Sequence, residues 1–191
     1  MGSSTNANKS DRKSIKTKYW INTTTDGVRI WKVANNATMG SFGSYSSPGA
    51  YPAGELYKNV TVDENGKQAI EFKDKEGLVI LKKVQLTATA DNGTGSGHTG
   101  WLCTYYIYDD LNQLRCVIQP RGVELIASNW ILTDATILAE QCFRYEYDQR
   151  QRMIVKKVPG AGEVNMVYDK RDRLVMTQDA NMKAQNQWLV T

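Results

Sequence analysis

Residues 145–179 read YEYDQRQRMIVKKVPGAGEVNMVYDKRDRLVMTQD, and this stretch nearly repeats itself. Within it, YDQRQRMIV and YDKRDRLVM begin 21 residues apart, and the turn-like PGAG of residues 159–162 lies between them. Repetition at a fixed spacing is typical of architectures built from one supersecondary unit. The same unit is therefore expected elsewhere in the chain.

The unit is an Asp followed three residues later by a residue that tolerates a positive φ. An Asp side chain can accept a hydrogen bond from the backbone two residues on, and Gly, Asn or Asp can close a type I turn with a bulge. The pattern predicts five β-hairpin turns, although the fifth pair has a less suitable second residue. The pairs are Asp63 and Gly66, Asp74 and Gly77, Asp109 and Asn112, Asp169 and Asp172, and Asp148 and Gln151.

The residues around these turns alternate as strand residues do. Positions five and seven after each Asp are apolar in nine of ten cases, Gln68 being the exception. This period of two indicates strands with one buried face. Three units also have a Tyr directly before the Asp, at Tyr108, Tyr147 and Tyr168. Roughly ten residues per strand and turn suits an antiparallel meander.

The position between each apolar pair breaks the alternation. Ala69, Ile80, Ile154 and Val175 are apolar there, whereas Arg115 is polar. A sheet with one solvated face should alternate more strictly. The sequence therefore predicts that part of the second face is covered, by an N-terminal hairpin, by a helical insertion or by polypeptide outside this chain.

The chain before the repeats falls into two predicted parts. Residues 1–18 are polar and offer little to bury, so a disordered tail is expected. Residues 19–55 are predicted to form a β-hairpin that turns at Asp26-Gly27, followed by a Gly/Ser/Tyr/Pro linker over residues 40–54.

The repeat sheet is predicted to span residues 56–191, with one interruption. Residues near 123–141 lack hairpin signals, and Asp134 is a candidate helix N-cap. One or two short helices are expected in this insertion.

Composition and cysteine usage exclude several classes of protein. The sequence is 41% hydrophobic and has no apolar run long enough for a membrane span, and its start lacks the apolar core of a signal peptide. Cys103, Cys116 and Cys142 have no zinc-site spacing and are expected to be buried free thiols.

Motifs that suggest chemistry have simpler explanations. GSGHTG, residues 95–100, matches the GxGxxG dinucleotide fingerprint, but a strand-like segment follows it where a helix is needed, so a loop is predicted. His98 is the only histidine, has no partner motif and is expected to be exposed to solvent. Turn formation explains the repeated aspartates better than acid–base catalysis does. No catalytic, cofactor-binding or metal-binding residue is predicted.

The aromatic and basic residues suggest two binding functions. Tyrosines beside Arg and Lys could form a face for single-stranded nucleic acid, but Tyr suits strands and exposed cations keep a sheet soluble, so no nucleic-acid partner is expected. A surface module that binds glycan or protein remains an alternative function. It would use the tyrosines together with Trp20, Trp31, Trp101 and Trp130.

Tyr-Asp, a short polar turn and then Arg or Leu resembles the YD-repeat pattern of the rearrangement-hotspot (RHS) and teneurin families. The best matches are YYIYDDLNQLRCVI, FRYEYDQRQRMIVKKVPGAGEV and MVYDKRDRLVMTQD, and the resemblance runs from about residue 51 to the end. LYKNVTVDENGKQAIEFKDKEGLVILKKVQL is similar to the segment before such repeats in large RHS-like proteins of Bacteroidetes-type bacteria. The chain thus resembles a fragment of a large RHS-repeat protein.

The resemblance implies a β-ribbon that spirals, in full-length relatives, into a hollow shell around a cargo. The cargo is often a C-terminal toxin domain. This sequence contains no DPxG-type core motif and no variable domain after Thr191, so neither self-cleavage nor toxicity is implied. The resemblance also implies that the parent protein is secreted or lies on the cell surface.

The predicted fold is mainly β, an antiparallel meander of YD-repeat hairpins that forms a partial RHS-type shell with a short helical insertion. The expected function is that of a non-enzymatic structural module, part of a shell that encloses or presents a cargo such as a toxin domain. Expected partners are neighbouring repeats of the parent chain or that cargo, and open strand edges predict self-association.

Overall fold

The computed structural model describes residues 15–87 and 94–191. Over these ranges the chain is mainly β, with three short α-helices and one 3-10 helix, Thr24–Asp26. The strands are β1 (Lys16–Ile21), β2 (Arg29–Ala34), β3 (Ser44–Ala50), β4 (Tyr57–Val62), β5 (Gln68–Lys73), β6 (Val79–Gln85), β7 (Trp101–Tyr108), β8 (Leu114–Ile118), β9 (Cys142–Tyr147), β10 (Met153–Lys157), β11 (Glu163–Tyr168), β12 (Leu174–Gln178) and β13 (Leu189–Val190). The α-helices are α1 (Pro120–Ile126), α2 (Ala135–Glu140) and α3 (Ala180–Ala184).

Eleven of these strands form one antiparallel sheet. β4 to β13 follow each other in chain order across the sheet, and β1 lies beside β4 at one edge. β2 and β3 pair only with each other, as a separate two-stranded ribbon. The predicted fold class, an antiparallel meander with a short helical insertion, is confirmed.

The helical insertion contains two helices, and the predicted N-cap starts the second. Asp134 Oδ1 accepts hydrogen bonds from the backbone N–H groups of Thr136 and Ile137, at 2.7 and 3.0 Å. α1 begins with Pro120 and buries Val123 and Ile126. Helices of this length gain most of their stability from such packing rather than from helix propensity.

The predicted hairpin at Asp26-Gly27 is wrong. β1 pairs with β4 along its whole length, from Lys16 with Val62 to Ile21 with Tyr57. The reason is that Asp26 is fully buried and its carboxylate lies 2.6 Å from the Lys58 ammonium, so the chain turns over the face of the sheet instead of folding back beside β1.

Two further predictions about the N-terminal part need correction. Residues 16–18 belong to β1, so the predicted tail of residues 1–18 ends too late, while residues 1–14 lie outside the described ranges. The predicted linker over residues 40–54 contains β3. Tyr45 explains the strand, because it is 4% exposed and packs in the core.

The core lies between one face of the sheet and the elements laid across it. Trp31 and Tyr45 come from the β2–β3 ribbon, and Tyr105 and Ile107 face them from β7. Fully burying a large apolar side chain of this kind stabilises a protein by about 1.5–3 kcal/mol. All three cysteines are buried free thiols, as the sequence predicts.

Two buried lysines hold the segment before β7 onto the same face. Lys83 is fully buried and donates hydrogen bonds to the carbonyls of Gly95 and Gly97, and Lys58 donates one to Thr94. The Lys83 ammonium also lies 4.8 Å from the centre of the Trp101 ring. Because a buried ammonium is costly without partners, these contacts fix the course of the segment.

Bulges explain the broken alternation. The strand register shifts by one residue just after four of the five turns, which leaves Ile80, Arg115, Ile154 and Val175 as the extra residues. Bulged residues can share a face with the residue that follows, and Arg115 is buried next to buried Cys116. A covered second face, which the sequence suggested, is not needed to explain these four positions.

None of the helices in the described ranges is long and apolar enough to cross a membrane.

Candidate interaction surface at the turns of the sheet

The five predicted motif sites are tight turns between paired strands. In each, the backbone N–H of the third residue after the Asp donates to the Asp carbonyl, at 2.9–3.2 Å. That third residue has a left-handed backbone, with φ between 59° and 87°. The left-handed residues are Gly66, Gly77, Asn112, Gln151 and Asp172.

Each Asp closes its own turn with its side chain. One carboxylate oxygen accepts the backbone N–H of the fourth residue on, at 2.7–3.0 Å. In the turns of Asp63, Asp109, Asp148 and Asp169, the same oxygen also accepts the N–H of the second residue on, at 2.8–3.0 Å. The carboxylates are therefore occupied by local backbone.

Four of the turns lie at one end of the sheet, which we call the turn end. They are the turns of Asp74, Asp109, Asp148 and Asp169. Successive antiparallel connections lie at alternate ends, so the turn of Asp63, one strand before Asp74, lies at the opposite end. That end also holds the helical insertion and the long β6–β7 connection, and we call it the insertion end. The motif thus forms one row of four turns, not five.

Tyr residues of the motif join successive hairpins. The Tyr147 hydroxyl donates to the Leu114 carbonyl at 3.0 Å, and the Tyr168 hydroxyl donates to the Met153 carbonyl at 2.9 Å. Both carbonyls belong to the fifth residue after the Asp of the preceding unit in the row. Tyr108 is instead packed against the hydrophobic core. Tyr147 and Tyr168 therefore each join their own repeat to the preceding one.

Arginines extend these links between units. Arg152 donates to Asp148 Oδ2 at 2.6 and 2.8 Å within its own turn. It also donates to Asp172 Oδ1 at 2.7 Å and to the Asp169 carbonyl at 3.2 Å in the next turn. Arg150 donates to the same Asp172 oxygen at 2.7 Å.

The ionic contacts shift the pKa values of the motif carboxyls. Burial acts to raise the pKa of Asp148, but hydrogen bonds from Arg152 and from the turn backbone outweigh it and lower the pKa. The pKa of Asp169 is lowered by the backbone hydrogen bond from Arg173 and then by that residue's guanidinium. Both carboxyls are therefore held in the ionised form that the turns require.

Arg115 forms a buried ionic cluster that sequence reasoning missed. Its guanidinium lies 2.5 Å from Glu146 Oε2 and 3.1 Å from Asp109 Oδ2. Glu146 Oε1 in turn accepts the backbone N–H of Gly43, at 2.8 Å. The cluster therefore fastens the connection between β2 and β3 to the sheet. The only signal in the sequence was an Arg at a position where the other units are apolar.

His98 is not the exposed residue that the sequence predicted. Its ring lies 4.7 Å from the Trp130 ring and 5.8 Å from the Tyr105 ring, centre to centre. Burial, followed by the charges of Lys83 and Arg29, lowers the pKa of His98 to about 4. A residue that is neutral at pH 7 and has such a low pKa is a poor general base.

No protein-family model matches this sequence, and no curated protein matches it. Among solved structures, similar chains occur in the Photorhabdus luminescens Tc holotoxin pore and in complexes described as TcdB2-TccC3 and TcdB2-TccC3-Cdc42. The identities are 19%, 20% and 19%, and the TM-scores are 0.48, 0.48 and 0.49. Each similarity covers 65% of this chain and 6% of the other, so this chain spans a small part of theirs.

Removing the hydroxyls that join the hairpins should destabilise the sheet. We expect Tyr147→Phe and Tyr168→Phe each to lower the free energy of unfolding by about 1 kcal/mol, because each leaves a carbonyl without its donor. Urea unfolding followed by circular dichroism measures this. The control is Tyr106→Phe, since Tyr106 is also half-buried but no hydrogen bond of its hydroxyl is found within the described ranges. An equal loss for the control would contradict the prediction.

A substitution in the turn of Asp148 should stabilise the protein, because Gln151 is poorly suited to the left-handed position. Gln151 has φ 63°, so Gln151→Gly should raise the free energy of unfolding by about 1 kcal/mol through relief of the left-handed backbone. Gln149→Gly in the same turn is the control and should not stabilise.

Replacing a left-handed glycine by alanine tests the cost of the left-handed backbone at the opposite end of the sheet. A Cβ at Gly66 would meet nothing within 4 Å. A decrease in the free energy of unfolding of Gly66→Ala would therefore come from the backbone φ of 81° at this position. Unfolding in urea again provides the measurement. Stabilisation by Gly66→Ala would overturn the backbone explanation.

Proposed function

We propose that this chain is a non-enzymatic structural repeat module, part of an RHS-like β-shell that encloses or presents a cargo such as a toxin domain. The observation that carries the proposal is the coupling of the turns of Asp109, Asp148 and Asp169 along the turn end. Tyr168 and Arg152 both cross from one unit to its neighbour. These tyrosine and arginine side chains, which could take part in catalysis elsewhere, here hold neighbouring repeats in register.

The state of the acidic and basic groups supports a structural role over catalysis. The motif carboxylates are engaged by their own turns, which leaves little capacity for acid–base work. Arg150 and Arg152 share the Asp172 carboxylate, so their charge is partly neutralised within the row. This pairing also disfavours a nucleic-acid surface, which needs cations available to phosphates.

Open strand edges define the partners we propose. β1 has β4 as its one neighbour in the described sheet, and its Tyr19 and Ile21 are 78% and 58% exposed. An edge strand presents unpaired backbone groups to any strand that can align with it. Neighbouring repeats of a longer parent chain, a cargo or a second copy of this chain could occupy this edge. The parent protein would be secreted or lie on the cell surface, as the RHS resemblance implies.

Self-association through β1 tests the open edge. We expect light scattering after size-exclusion chromatography to give an average mass above the 21.5 kDa monomer that rises with concentration. Tyr19→Lys and Ile21→Lys should restore the monomer, because charges at an edge oppose pairing. Leu111→Lys is the control, since Leu111 is 64% exposed but lies in a turn. A clean monomer at every concentration would count against this role of the edge.

A surface glycan-binding module is the second candidate, and Trp20 favours it. This ring is 40% exposed and lines a cleft of about 410 Å³ together with Thr23 and Thr25. An aromatic face beside hydroxyl groups suits a sugar. A glycan array tests this, with Trp20→Ala expected to abolish a saturable signal and Trp188→Ala, at the same 40% exposure, expected to keep it. Equal loss in both variants, or no signal at all, would reject glycan binding at Trp20.

A further inference from the structure

A groove lies on the C-terminal strands of the sheet, beyond the end of the core. Its volume is about 580 Å³, within the range of about 300–1,000 Å³ that is typical of ligand sites. Met39 and Gly40, from the connection between β2 and β3, form part of its wall, and Trp188, just before β13, also lines it. In the described ranges the hydrophobic core cluster includes no residue of β10 to β13. The groove is therefore a separate site rather than a gap inside the core.

The register of the strands shows which side chains face the groove. Val155 faces the wall, because a Cβ added at Gly40 would lie 3.7 Å from the Val155 Cγ2 atom. Asn165 is the partner of Val155 across the β10–β11 pair, and paired residues project their side chains from the same face of a sheet. Val167, two residues further along β11, also projects from that face. The floor of the groove thus holds the Asn165 amide between apolar side chains.

The Asn165 amide is available to a ligand. The residue is half-buried, and no hydrogen bond of its side chain is found in residues 15–87 and 94–191. A carboxamide has two N–H donors and a carbonyl acceptor, so it can pair with a group that both donates and accepts. A second carboxamide is the matching group, because each amide can donate one N–H to the carbonyl of the other.

The charged residues that line the groove are balanced and leave no net charge to attract an ion. Arg150 and Arg152 lie at its turn end, where each donates to Asp172 Oδ1 at 2.7 Å. Arg152 also donates to Asp148 Oδ2, at 2.6 Å. Two guanidiniums are thus matched by two carboxylates, so a charged ligand would lose hydration without meeting an unpaired opposite charge. An uncharged ligand avoids that cost.

The walls of the groove favour an aromatic ring on the ligand. Met39 and Trp188 are large, exposed apolar side chains that line it from opposite sides of the floor. A Trp ring stacks in an offset arrangement on another aromatic ring, and a Met thioether also contacts aromatic rings favourably. A ring bound here would cover both side chains.

We propose that this groove binds a small, uncharged, aromatic carboxamide, whose amide forms two hydrogen bonds with the Asn165 side chain. Burial of Met39, Val167 and Trp188 against the ring drives binding, and Asn165 orients the ligand. The proposal goes beyond the shell function and does not depend on it, because none of these contacts requires a neighbouring repeat or a cargo.

Three probes of the same shape test the proposal on the full chain. Hydrocinnamamide carries the amide, benzylacetone has a methyl group in place of the amide nitrogen, and hydrocinnamate is the corresponding anion. Calorimetric titration should give saturable binding of the amide, about fivefold tighter than that of the ketone because the amide forms one more hydrogen bond. The anion should bind more weakly than the amide. Absence of saturable amide binding, equal affinity for amide and ketone, or tighter binding of the anion would overturn the proposal.

The side-chain amide of Asn165 provides a direct spectroscopic check. Its two N–H signals in a ¹H–¹⁵N correlation spectrum are identified by their loss in Asn165→Leu. We expect both signals to shift as hydrocinnamamide is added, and to follow the same saturation curve as the calorimetry. Unchanged Asn165 signals during saturable binding would place the ligand elsewhere and refute the site.

Two variants separate the hydrogen bonds from the groove itself. Asn165→Leu keeps a side chain of similar size without polar atoms, so the preference for the amide over the ketone should fall to about one. Val167→Trp fills the groove and should abolish binding of both probes. Asn59→Leu is the control, since Asn59 is also half-buried but lies on β4, near the opposite edge of the sheet, and it should keep the preference.

The variants can also contradict the assignment. Retention of the fivefold preference in folded Asn165→Leu, or its loss in Asn59→Leu, would show that Asn165 is not the partner of the ligand. The comparison of the three probes on the unchanged chain tests the proposal even if a variant fails to fold.

Discussion

The capture of two backbone N–H groups by an Asp of the same turn is the interaction on which the sheet depends. It fixes a turn of constant length, and the constant length fixes which residues face each other across the hairpin. At the turn end the register shift always falls at the same distance from the Asp. In the last two units of the row, the hydroxyl of the Tyr before the Asp then donates to a carbonyl of the preceding unit, as Tyr168 does to Met153. Local chemistry thus sets the long-range alignment.

The two ends of the sheet differ in structure: the connections at the turn end are short and alike, whereas those at the insertion end vary. At the turn end, hydroxyl–carbonyl bonds link the units of Asp109, Asp148 and Asp169, and the Asp172 carboxylate binds two arginines of the preceding unit, so these units restrain one another. At the insertion end, connections differ in length and conformation, and they supply α1, α2 and the segment that Lys83 holds in place. Loops carried by a rigid scaffold are where binding residues tend to occur.

The sequence was informative where the determining contacts are local. The spacing of Asp and a residue tolerant of positive φ located five turns, and even Gln151 takes the left-handed conformation. The sequence-based predictions failed where contacts between residues far apart in the chain determine the structure. The ion pair between Asp26 and Lys58 spans 32 residues and prevents the expected hairpin. His98 is packed by Trp130, whose position no local pattern reveals.

The position of Asp63 exposes a rule of parity. Its turn obeys the same chemistry as that of Asp74 but faces the other way, because a single strand separates them. Asp148 and Asp169 are separated by two strands and stay in line. Any lengthening of the row must therefore add strands in pairs, since one additional strand would reverse the direction of every later turn. An array of this kind can grow or shrink during evolution only in even steps if its row of linked turns is to survive.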